Sequence, residues 1–261
     1  MKFGLDRYAH LNSPIHRWKA ESKLIGLGGL MIAFAGVEHL SLLPIMLAIA
    51  AIIYRMSNLP RSFWQTRLRY PGYFMVGVVF VLPFISGQTV IWQMAFLTLR
   101  QEGCLAMLLI ASRFIAIMTL CIVLFGTCSF LSTIKAMRSL GLSPILADMT
   151  LLSYRYIFEV GQQLMTMRTA MRLRGFQPRK LTRRNLRIFA SLAGTLLVRS
   201  YEQSEQVYHA MRLRGYGKVN RKSRDKKIGI GRKLFPDRFS AIALSISLLL
   251  ATSLIVAEIF L

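Results

Sequence analysis

Acidic residues are scarce in this chain: 11 Asp and Glu stand against 34 Lys and Arg, giving a formal net charge of +23 over 261 residues. Charge of either sign is sparse too, at 17% of residues against 54% hydrophobic, with a mean hydropathy of +0.46. That balance excludes an ordinary soluble globule and fits a polytopic membrane protein. Cysteine is limited to Cys104, Cys121 and Cys128, in or beside apolar segments, with no CxxC pair and no zinc spacing, so free buried thiols are expected. The four histidines, His10, His16, His39 and His209, are scattered without an i, i+4 pair, so no metal site is expected on this chain. There is no Walker A motif, no Gly-rich phosphate loop and no HExxH. No catalytic residue and no cofactor are therefore expected, and the chain reads as a non-catalytic subunit. The first 23 residues are polar and basic and lack the small-residue cleavage site of a signal peptide.

What the sequence does have is apolar runs. Leu24–Val37 and Leu40–Tyr54 are split by Glu38-His39 and read as a helical hairpin with its turn at that polar pair. Arg55 to Arg69 carries four arginines and reads as a cytoplasmic loop. Pro71–Leu99 is uncharged over 29 residues, longer than one span needs, so 73–86 should cross and 87–99 should lie at the far interface. Cys104–Ile134 is apolar apart from Arg113. Arg113 admits two readings: an intramembrane functional or paired charge, or the outer end of a span over 114–134. Phe239–Ala257 is a clean uncharged stretch of 19 residues. The expectation is an all-α polytopic protein with about five transmembrane helices: a basic N-terminal segment (1–23), membrane helices (24–134), a cytoplasmic bundle of amphipathic helices (135–235) and a last membrane helix (239–261). The positive-inside rule places 55–69, 135–138 and 168–238 in the cytoplasm.

The region 135–235 holds most of the charge. From Arg168 to Arg238 there are 20 Lys and Arg against four acids, a local +16. Such a block suits a cytoplasmic face, anionic lipid headgroups or an acidic protein partner; nucleic acid is a fourth and weaker explanation, since the block lacks any zinc or RNA-binding motif, and no nucleic-acid partner is expected. Within it, Ala170-Met171-Arg172-Leu173-Arg174-Gly175-Phe176 recurs forty residues later as Ala210-Met211-Arg212-Leu213-Arg214-Gly215-Tyr216. Ile157, Val160, Leu164, Met167 and Met171 trace one helix face, opposite Glu159, Gln162, Thr166 and Thr169, and three residues further lies Arg174. Leu197, Tyr201, Ser204, Tyr208 and Met211 trace another face, which leads to Arg214. Gly175 and Gly215 stand where a left-handed helix cap is expected. Capping explains one such end, but not the return of Ala, Met, Arg and Leu in the same order. A guanidinium beside an apolar stripe suits a groove with an acidic floor. Glu202 and Glu205 share a face and are expected to pair with Arg199 and Arg212. A partial third copy, Ala136-Met137-Arg138-Ser139-Leu140-Gly141 before Pro144, reads as one more helix end.

These motifs resemble the CbiQ/EcfT family, the transmembrane (T) component of energy-coupling factor (ECF) ABC transporters. The similarity covers nearly the whole chain. Leu173-Arg174-Gly175 and Leu213-Arg214-Gly215 match the family's Ala-Arg-Gly coupling motifs, with Leu in place of Ala. Ser112-Arg113-Phe114, Gly141-Leu142-Ser143-Pro144 and Tyr154-Arg155-Tyr156 follow its order, and Leu5–His10 with Ser13–Arg17 resembles the opening of its cobalt/nickel subgroup. The resemblance implies a multi-pass cell-membrane protein with no cofactor of its own. It implies two cytoplasmic ABC ATPase subunits and a substrate-binding membrane subunit as partners, alongside membrane lipids. It also implies import of cobalt or nickel, with links to cobalamin biosynthesis. Arg174, Gly175, Ala170 and Met171, and Arg214, Gly215, Ala210 and Met211, would then be the ATPase-coupling residues. The alternatives are the T component of a vitamin transporter and a membrane scaffold that binds anionic lipid.

Overall fold

The computed structural model describes residues 13–85, 90–94, 97–176, 182–216 and 238–260. The motif at 5–10, most of the turn around Pro178 and the basic residues 217–237 lie outside that set, as does the side chain of Cys104. The elements are α1 (Pro14–Arg17), α2 (Ala20–Gly36), a 3-10 turn (Leu40–Leu42), α3 (Leu43–Met56), α4 (Arg61–Ile85), β1 (Val90–Met94), β2 (Leu97–Arg100), α5 (Gln101–Thr127), α6 (Phe130–Ser139), α7 (Pro144–Leu173), α8 (Arg183–Leu213) and α9 (Arg238–Phe260). The protein is all-α, with one short antiparallel hairpin, β1–β2, across the stretch expected at the far interface. Two compact units result: α1–α6 with α9, and α7 with α8.

In the first unit α2 lies against α5 and α9. Its buried positions, Ser22, Lys23, Gly26, Leu27, Leu30, Ala33, Phe34 and Val37, recur at three- and four-residue steps, as one face of a helix must. From α9 come Ser240, Ser247, Ala251 and Leu254. Small side chains let the backbones approach closely. A Cβ at Gly26 would meet Ser247 Oγ at 2.4 Å and the Trp18 ring at 3.0 Å, so the approach depends on glycine. Leu43, Met46 and Ala50 of α3 and Ala116, Leu120 and Val123 of α5 complete the core. Cys121 and Cys128 are free thiols, the second buried.

Two cations fix the α2–α5 pairing. Lys23, only 1% exposed, donates from Nζ to Thr127 Oγ1 (3.0 Å) and to the Thr127 carbonyl (3.4 Å) at the end of α5. Arg113 of α5 donates from Nη2 to the carbonyl of Val37, which caps α2. Each helix thus places a positive group on the other's C-terminal carbonyls, the negative end of its dipole. The same interval, roughly 14 residues or about 21 Å of helix, separates Lys23 from Val37 and Arg113 from Thr127, as an antiparallel pair requires. Nearby, Glu258 of α9 accepts from the amides of Glu38 (2.8 Å) and His39 (3.1 Å), so the polar pair does form the turn after α2.

Two boundaries differ from expectation. The arginine-rich stretch 55–69 is not a loop: the chain turns over Ser57–Pro60, with Asn58 at φ 51°, and α4 begins at Arg61. Its arginines lie along aromatic neighbours one turn away, Arg67 over Phe63 (5.4 Å) and Arg69 over Tyr73 (5.9 Å), which lets a basic segment stay helical. The span over 114–134, one of the two readings of Arg113, differs too, since α5 runs through Arg113 and ends at Thr127. The helix breaks at Cys128, where Ser129 caps α6 by accepting from the Ser132 amide. Among the described residues, 105–127 and 239–260 are each long and apolar enough to cross a membrane.

Candidate functional site

The α7–α8 unit carries the twin motif, and the backbone explains which parts of it serve the fold. In the first copy the Gly175 amide donates to the Arg172 carbonyl and the Phe176 amide to the Met171 carbonyl, both at 3.0 Å. In the second, Gly215 donates to Arg212 and Tyr216 to Met211, again at 3.0 Å. This is the Schellman pattern, which needs a left-handed residue after the cap. Gly175 has φ 80° and Gly215 φ 75°, values that cost an L side chain strain. The pattern brings the residue after the glycine back over the last turn, which pairs Phe176 with Met171 and Tyr216 with Met211. The recurrence of Gly is therefore a requirement of the cap, and an apolar residue on each side of it, here Met and an aromatic, is what often accompanies that pattern.

The side chains of Arg172, Leu173 and Arg174, and of Arg212, Leu213 and Arg214, take no part in those bonds. All six are exposed, and the two leucines are the extreme cases, 86% and 89% exposed. Ala170 and Ala210, one residue before the methionines, are exposed as well. Arg174 borders a cavity of about 500 Å³, whose floor is Met171, Phe176 and Ile188 and whose rim includes Thr182, Arg184 and Asn185. Arg212 lies over the Tyr208 ring at 5.7 Å.

The two ends point apart. Phe176 stacks edge-on against Phe189 near the start of α8 (5.5 Å), and Tyr216 donates to Asp148 Oδ2 near the start of α7 (3.1 Å). The helices are antiparallel, joined midway by Gln203, which donates from Nε2 to Glu159 Oε1 (2.5 Å), and by Gln163, which donates to Gln203 Oε1 (3.4 Å). At 1.5 Å per residue, the stretch from Asp148 to Arg174 spans about 39 Å, so Arg174 and Arg214 stand at opposite ends of the pair. One narrow groove cannot take both.

The packed faces correct part of the pattern drawn from sequence. On α7 the half-buried positions include Val160, Leu164, Met167 and Met171, but Glu159 turns inward to its bond with Gln203. On α8 the half-buried face is Ile188, Leu192, Leu196, Ser200, Gln203, Val207 and Met211. The expected stripe lies about 100° around the helix from it. Leu197, Tyr201 and Tyr208 are 73%, 66% and 55% exposed. A polar residue, Gln203, took a packed position because it has a partner there, and hydrophobicity alone cannot show that. Glu202 and Glu205 are exposed and make no ion pair with Arg199 or Arg212 among the described residues. Arg113 lies in the other unit, on α5, at the end of α2. His16 bonds Ser13 Oγ, His39 faces Glu258 and His209 packs on Tyr208, so these three sit on separate elements. The third motif copy ends α6 as expected, with Gly141 at φ 113° and its amide donating to the Arg138 carbonyl.

The sequence profile of the CbiQ family, described as a cobalt transport protein, matches residues 11–225. The chain belongs to the CbiQ family. An uncharacterized protein of Methanocaldococcus jannaschii is 20% identical over 217 residues, which cover 81% of this chain and 74% of that one. As a CbiQ family member, the chain is a membrane component of a transporter that works with other subunits. The matched region takes in all of α2–α8, both capped ends included.

Proposed function

We propose that this CbiQ family member is the energy-coupling T component of an ECF-type ABC importer for a transition-metal ion, cobalt or nickel. It joins two cytoplasmic ATPases to a substrate-binding subunit in the cell membrane. Arg174 with Leu173 docks on one ATPase, and Arg214 with Leu213 docks on the other. ATPase closure moves the two helix ends, and α7–α8 passes that movement to the membrane helices. The chain has five crossings, with α7–α8 in the cytoplasm.

One observation carries this reading. Two caps of the same pattern stand at opposite ends of an antiparallel pair, and each leaves the side chains of the same Arg-Leu-Arg triplet exposed and outside the cap's hydrogen bonds. Two separate ends call for two grooves, as a two-fold ATPase dimer offers, and a guanidinium would meet a carboxylate there through a planar fork. The deciding experiment is co-purification of the ATPases on the tagged chain. The wild type and the variants Arg174→Glu, Arg214→Glu and both together are compared in membranes where the chain is inserted at normal abundance. Each single change should weaken capture and the double change should abolish it. Capture unaffected by the double change would sink the proposal. The isolated chain should hydrolyse no ATP, and cysteines placed near Lys180 and Lys222 should be labelled only from the cytoplasmic side.

A further inference from the structure

The membrane-side unit contains an open groove of about 430 Å³, within the usual range for ligand pockets of about 300–1,000 Å³. Leu47, Ala50 and Ala51 of α3 form one wall, and Ile115 and Ala116 of α5 form the other. Leu47, Ala51 and Ile115 are exposed, so the groove opens sideways, toward lipid in a membrane-embedded chain. The first turn of α4 closes one end. There the chemistry changes. Tyr54 and Trp64 flank that end, with their polar tips already bonded: Tyr54 Oη donates to the Leu59 and Pro60 carbonyls (3.3 Å each) and Trp64 Nε1 to Thr119 Oγ1 (3.1 Å). Arg61 and Gln65 stand one helical turn apart on α4, both exposed, and neither side chain makes a hydrogen bond or ion pair among the described residues. No acid lines the groove.

We infer that this groove binds one anionic glycerophospholipid, with an acyl chain between α3 and α5 and the phosphate on Arg61 and Gln65. An apolar slot that ends in aromatic side chains and an uncommitted cation copies the depth profile of half a bilayer, where Trp and Tyr mark the headgroup level. The start of α4 adds the positive end of a helix dipole to the charge of Arg61. Together they favour a net negative headgroup over a zwitterionic one. The inference needs only the membrane placement of this unit and is independent of the coupling role proposed for α7–α8.

The test uses the purified full-length chain in detergent, offered equal amounts of phosphatidylglycerol and phosphatidylcholine with the same acyl chains. Native mass spectrometry reads the first tightly retained lipid. Phosphatidylglycerol should be preferred by about fivefold, the equivalent of one basic side chain near an anionic headgroup. Arg61→Ala should erase the preference, and Arg61→Lys should keep most of it. Ala51→Phe fills the groove from an exposed wall position, and it should reduce retention of both lipids while leaving the chain monodisperse. Equal retention of the two lipids that Arg61→Ala does not change would overturn the inference. So would Ala51→Phe retaining lipid as the wild type does. Crosslinking of Ala51→Cys to a second polypeptide in native membranes, with lipid retention indifferent to Arg61, would also overturn it by assigning the groove to a protein helix.

Discussion

In the α1–α6 and α9 unit, Leu27, Leu30, Phe34, Met46, Leu120 and Val123 are almost wholly enclosed, whereas α8, the longest helix among the described residues, encloses no residue at all. On α7 only Ala147 is buried. The first unit is built to hold its shape through packing. The second is held by its two caps, a half-buried seam and a few polar bonds between Gln163, Gln203 and Glu159. Long helices with so little buried surface of their own expose residues that a partner can cover, and the residues left over from the caps lie at their ends. One unit spends its sequence on itself, and the other presents it.

The largest effect that would break this contrast is in the core. Phe34→Ala should destabilise the protein by about 3–5 kcal/mol, as truncation of an enclosed aromatic side chain does. Denaturant titration of the purified chain is the check, and a loss below 1 kcal/mol would mean the first unit is not packed as described. Next come the exposed arginines. Arg174→Glu or Arg214→Glu should cost about 2–5 kcal/mol in ATPase affinity, part of it from the stranded partner group, and leave the stability of the isolated chain unchanged. Lys at either position should rescue only partly, because a point charge replaces a planar fork. Arg172→Glu and Arg212→Glu are the controls. They lie roughly 200° around the helix from the matched arginines and should matter less. If the controls prove essential while Arg174 and Arg214 tolerate Glu, the assignment of the docking face is wrong.

Removing Lys23 as Lys23→Met should cost about 1–3 kcal/mol, because the Thr127 carbonyl at the end of α5 loses its buried donor. The same titration measures it, and no change would remove the reciprocal capping of α2 and α5. Gly175→Ala should cost about 1–2 kcal/mol of helix-end strain at a left-handed φ. Hydrogen exchange at the Phe176 amide should then quicken, with no change elsewhere in α7. The smallest effect belongs to the exposed stripe of α8. Leu197→Ala should shift stability by no more than about 0.5 kcal/mol, and a larger loss would show that the stripe is covered within the chain.

The sequence by itself determined the helical class, because apolar runs and helical spacing state a periodicity that needs no partner to be read. It determined the helix ends at Gly141, Gly175 and Gly215 as well, because glycine takes a left-handed cap without the strain that a Cβ brings. It also carried enough of the CbiQ pattern for the family to be recognised. Tertiary structure alone decided the rest. Where α4 begins was settled at the turn Ser57–Pro60, where Tyr54 reaches across to the Leu59 and Pro60 carbonyls. Whether 104–134 is one helix or two depended on Ser129 and on Lys23, more than a hundred residues earlier. Which face of α8 is inward depended on Gln203 meeting Glu159 across the pair. Arg113 could be read two ways until the Val37 carbonyl was found beside it. Spacing along one chain encodes local geometry, but a polar side chain is buried or exposed according to the partner it meets, and partners are brought together only by the fold.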